Sequence, residues 1–192
     1  MAESVPDISN SGDKLNFWIY TMQILSLKFK LLRLQPTNIM YDIILWSHSW
    51  IRWVLLIICL IVTVRSFYGW SKKSEYLRVD NLLGVILLGL FHLQLILGLA
   101  LYFVFSPITG TFLSNIEAGM KDPVQRFWGM EHILLMIFAV VIAHLGRLKT
   151  KNTSSSTLKF KAQTLYNLIA FLVIVSRIPW GDTSRLFRGL IE

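Results

Sequence analysis

Four apolar blocks, each about as long as a bilayer is thick when coiled into a helix, limit what this chain can fold into: Ile43 to Val64, Leu82 to Phe105, Phe127 to Gly146 and Leu165 to Ile178. A crossing helix needs ~20 mostly apolar residues at ~1.5 Å each. A lipid environment also requires every backbone N–H and C=O to be satisfied within the segment. The sequence therefore predicts an all-α integral membrane protein, an up-down four-helix bundle spanning at about 43–64, 82–105, 127–146 and 162–180. These spans form one domain, residues 40–192. The lone Cys59 lies inside a span and reads as a small core residue, because it has no internal disulfide or CxxC partner.

Residues 1–39 read as an N-terminal extension. Residues 1–13 (MAESVPDISNSGD) are polar and expected to be disordered, and their acidic residues do not suit a signal peptide. Residues 15–34 fit an amphipathic, interfacial helix, since Lys28, Lys30 and Arg33 interrupt an apolar run too short to span. The alternative reading makes Met40 the natural start, with the upstream segment an over-extended reading frame.

The net charge of +8 does not point to nucleic acid, because the basic residues sit in the connections between blocks. Arg65, Lys72, Lys73 and Arg78 fall in loop 65–80, and Arg147, Lys149, Lys151, Lys159 and Lys161 in loop 147–161. With four spans these loops share one side. The positive-inside rule makes that side cytoplasmic, with localisation in a bacterial inner (cytoplasmic) membrane.

All 4 histidines of the chain lie in predicted spans: His48 in the first, His92 in the second, His132 and His144 in the third. Ionisable groups in lipid are costly, ~2.5 kcal/mol or more when charged, so an intramembrane set is a functional candidate. His48 and His132 stand about five residues in from the same end of two like-directed helices, roughly 8 Å deep. Two level imidazoles on neighbouring helices suit the axial positions of one haem iron. His144 lies ~18 Å deeper than His132 and rotated by ~120°, so it cannot serve the same iron. A His92/His144 pair for a second haem requires helix tilt to close several ångströms. Otherwise His92 and Gln94 form a polar relay and His144 snorkels.

Gly89 and Gly129 each precede a histidine by three residues, where a missing side chain leaves room for a flat macrocycle; close helix packing is the other reading. Arg52, Arg126 and Arg177 fall near the level of His48 and suit haem propionates, or serve as interface anchors beside the tryptophans. Glu131, next to His132, is a candidate quinol proton acceptor or an arginine partner. No Gly-rich phosphate loop, HExxH, paired carboxylates at metal spacing or serine elbow is present, so hydrolase and nucleotide chemistry have no residues to work with.

The segments SHSWIRW (47–53), FHLQLILGLALYF (91–103), RFWGMEHILLMIFAVVIAHLGR (126–147) and SRIPW (176–180) resemble the small bacterial four-helix "cytochrome B"-like membrane proteins, over residues 40–182. That resemblance implies haem b, electron transfer, and His48, His92, His132 and His144 as the motif histidines. The expected function is a haem b carrier, with one haem or two, exchanging electrons between the quinone/quinol pool and another respiratory or redox membrane subunit. If enzymatic, it is a quinone-linked oxidoreductase component. A haem-free scaffold subunit is the alternative reading. A weaker one is a haem-modifying membrane enzyme similar to haem A synthase, which has twice the helices.

Overall fold

The computed structural model describes the backbone of residues 11–187, with side chains for 18–23, 39–182 and 185–187. The chain divides into two compact units, Met1–Met40 and Tyr41–Glu192. Of the first, residues 1–10, most of the stretch expected to be disordered, lie outside the described residues. Residues 11–13 already belong to helix α1 (Ser11–Ser71). The side chains of 24–38, on which the amphipathic reading depends, also lie outside the described ones.

The second unit is all-α, with no strand among the described residues. Four helical stretches are long and apolar enough to cross a membrane: Ile39–Ser71, Arg78–Phe105, Pro123–Lys151 and Ser156–Ser176. The first is the later part of α1. The second is α2 (Arg78–Ala100) continued by a π turn, Leu101–Phe105. The third begins with α5 (Pro123–Arg126), passes through a π turn at Phe127–Glu131 and becomes α6 (His132–Lys151). The fourth is α7 (Ser156–Ser176).

Helices run past the apolar blocks because the flanking polar residues are good helix formers with caps. Asp80, buried in the first turn of α2, accepts from the Leu77 N–H (3.0 Å) and pairs with Arg65 of α1 (3.1 Å). The fourth span stops earlier than expected, at Ser176, where Arg177 to Trp180 turn away ahead of Pro179.

Leu55, Cys59 and Val62 of α1, Leu87 and Phe91 of α2, Ala139 and Ala143 of α6, and Ala170 and Ile174 of α7 form one buried core. Small residues permit close approach: Gly69 lies under the Phe160 ring and Gly146 under Tyr166. Between the second and third spans, α3 (Pro107–Ser114) and α4 (Ile116–Lys121) fold over one end of the bundle. The Tyr102 hydroxyl donates to the Gly129 carbonyl (2.7 Å), and the Thr109 hydroxyl to the Tyr102 carbonyl (2.7 Å). At the same end a short helix, α8 (Thr183–Leu186), returns the chain to α1. There the Arg52 Nη2 donates to the carbonyls of Arg185 (3.0 Å) and Leu186 (3.1 Å), and the Trp53 indole N–H to Leu186 (2.8 Å).

Candidate functional site

Under α3 and α8 the four spans part around a cavity of about 1150 Å³, counting its opening. Its wall is mostly aliphatic and aromatic, with a few polar groups converging on it, which is the usual make-up of a small-molecule or cofactor site. His48 and Arg52 reach it from α1, Gln94 and Gly98 from α2, His132 and Met136 from α6, and Arg177 and Arg185 from the C-terminal turn.

Neighbours hold the His132 ring and the His48 backbone. The Nδ1 of His132 lies 3.2 Å from the Arg177 carbonyl oxygen. With the proton on Nδ1 donated to that oxygen, Nε2 keeps its lone pair, the arrangement second-shell bonds impose on metal-bound histidine. Trp128 and Phe127 flank the same ring at 5.3 and 5.9 Å between centroids. His48 is fixed from α2: the Gln94 amide donates to the His48 carbonyl (2.9 Å), and a Cβ at Gly98 would stand 3.2 Å from His48 Cε1. Glycine at 98 is therefore what lets this ring lie flat against α2.

Four buried polar atoms around the cavity have no protein partner: His48 Nδ1, Arg52 Nε, Arg177 Nε and Gln94 Oε1. Burying such atoms unpaired costs ~1–3 kcal/mol each. Three of the four suit a ligand carrying both metal and carboxylate groups, since imidazoles and guanidinium N–H groups are what haem iron and propionates take, whereas Gln94 Oε1 is an acceptor that such a ligand does not satisfy. On that donor chemistry the residues present fit a haem.

Several expected roles move. Glu131 is held by two arginines, Arg126 Nε at 3.0 Å and Arg177 Nη1 at 3.1 Å. Arg126, also bonded to the Met120 carbonyl (3.2 Å), does not line the cavity. Gly129 does not leave space for a macrocycle, because the Phe112 ring lies directly on it. Gly89 is exposed, and an added Cβ there would meet nothing within 4 Å. His92 and His144 stand apart from the cavity but beside each other, with ring centroids 5.7 Å apart at 74°. The anticipated depth mismatch between them is closed where α2 packs along α6. That register brings His92 level with His144.

Sequence reasoning missed Arg185, Tyr102 and Phe112. No pattern in the tail or in the 106–122 connection marks them, since their partners are more than a helix away along the chain. Among the described residues, no three His, Cys, Asp or Glu side chains group closely enough to hold a metal ion on their own. No family model, curated protein or solved structure matches the chain.

Proposed function

We propose that this chain is a membrane-embedded haem b electron-transfer protein in which His48 and His132 would hold the haem iron, exchanging electrons between the quinone pool and a respiratory or periplasmic partner. One observation carries the reading: imidazoles from two separate helices line a single apolar cavity, the His132 ring already oriented through its Nδ1. Bound haem supplies one-electron chemistry at its iron, and the protein supplies ligation, burial and charge.

In this reading Arg52 and Arg177 offer their free Nε–H groups to the propionates. Glu131 neutralises Arg126 and Arg177, and so sets how much positive charge reaches the cavity. It is also the carboxylate available to a quinol proton. If quinol-driven haem reduction is unchanged in Glu131→Gln, the glutamate has no part in proton transfer. The His92/His144 pair is the place for a second haem, and the membrane is a bacterial inner membrane with loops 65–80 and 147–161 in the cytoplasm.

The test is a reduced-minus-oxidised absorption spectrum of purified protein, with a pyridine haemochrome count per chain. A b-type spectrum is expected in the wild type, lost or turned high-spin in both His48→Ala and His132→Ala. A count of two that falls to one in His92→Ala assigns the second pair. Colourless, well-folded protein from haem-replete cells would overturn the carrier reading. That result would favour the scaffold alternative, in which Arg52, Gln94 and Glu131 only tie helices together, as each of their bonds does already.

A further inference from the structure

At the end of the bundle opposite His48, α2, α6 and α7 line a second, partly open cavity with room for about one water-sized sphere. Its lining includes Gly84, Arg147, Thr150, Gln163 and Asn167, and two donors among these residues, Asn167 Nδ2 and Arg147 Nη1, are buried without a partner. Asn167, 6% exposed, has a buried Nδ2 with no partner. Arg147 donates through Nη2 to Asn81 Oδ1 (2.7 Å), while its Nη1 is buried and unpartnered. Gln163 has its Oε1 held by the Tyr76 hydroxyl (2.7 Å), so its NH₂ is the end left for the cavity. A Cβ at Gly84 would stand 3.3 Å from that Gln163 nitrogen and 3.4 Å from Arg147 Nη1. Glycine at 84 keeps the space between them open.

Charge is one-sided as well. The buried carboxylate of this end, Asp80, is taken by Arg65 and by the Leu77 N–H. Arg147 makes no ion pair among the described residues, and its other polar neighbours, Asn81 and the Tyr76 hydroxyl, are neutral. Arg147 as a whole is half-buried, but its Nη1 is buried without a partner, and leaving such a donor unpaired costs free energy.

We propose that Arg147, Gln163 and Asn167 form a buried site for one small monatomic anion of the halide type. An anion accepts from all three donors and neutralises Arg147. A water molecule accepts from at most two of these donors and supplies no charge to Arg147.

The test uses the full chain in detergent, comparing thermal unfolding in sodium chloride, bromide and gluconate at equal ionic strength. Both halides should raise Tm saturably, by about 3–6 °C at ten times the Kd, and gluconate should not. Asn167→Leu should lose the halide increment. Asn167→Asp, which places a carboxylate beside Arg147, should raise Tm in gluconate and abolish the halide response. If the leucine variant does not fold, the aspartate variant decides alone. Equal Tm in all three salts, or a halide increment that survives in Asn167→Asp, would overturn the site and leave Arg147 hydrated. None of these readouts depends on haem.

Discussion

Gly89 and Gly129 occupy the same position relative to a histidine, yet a methyl group added at each enters opposite surroundings. At Gly129 it meets the buried Phe112 ring of α3. Gly129→Ala is therefore expected to destabilise by about 1–3 kcal/mol through overpacking. At Gly89 the methyl meets nothing, and Gly89→Ala should be neutral or stabilising by up to ~1 kcal/mol, since glycine is the poorer helix former. Thermal unfolding of the two variants in one detergent checks both, and equal shifts would contradict the packing difference. Spacing alone could place both glycines on a histidine's face. It could not say what covers that face, because Phe112 arrives from a separate short helix.

Two helices, α2 and α5, start at a carboxylate that caps them, and each can be tested separately. Asp80 ties the start of α2 to Arg65 of α1. Removing it in Asp80→Ala takes away the cap and leaves a partly buried guanidinium without its partner, a cost of about 2–4 kcal/mol. Asp80→Asn, which keeps an acceptor for the Leu77 N–H, should lose less, and chemical denaturation of the two variants measures the difference. Asp122 caps α5 by accepting from the backbone N–H groups of Gln125 (3.0 Å) and Val124 (2.8 Å), which hold its carboxyl below the ordinary value. A lowered folded value means the cap's contribution is present above the ordinary carboxylate pKa and is lost as pH falls through the lowered one. Melting curves from neutral to acid pH should show this loss in the wild type and a shallower acid dependence in Asp122→Asn. The existence of the four spans was legible from apolar length. The two π turns were not, because a single inserted residue leaves no mark in the hydropathy pattern.

At the scale of the whole molecule, the shared level of His48 and His132 was readable because both sit the same number of residues in from like-directed helix starts. The proximity of His92 and His144 was not, because it depends on how far α2 slides past α6, which the block ends do not fix. The direction of the bundle in the membrane rests on charge. The basic loops 65–80 and 147–161 lie at the end that holds Asp80 and Arg147, while α3 and α4 cover the His48 end. A bias of this size sets orientation through Lys and Arg in short loops near the span ends. Single cysteines can report it, because Cys59 is fully buried and should stay unlabelled. Ser114→Cys, on exposed α3, should react with a membrane-impermeant maleimide in intact cells, whereas Ser154→Cys, in the exposed turn between α6 and α7, should react only after permeabilisation. The reverse pattern would turn the bundle over and move the His48 cavity to the cytoplasmic face. In the proposed carrier reading, the electron partner would then be sought on the cytoplasmic side.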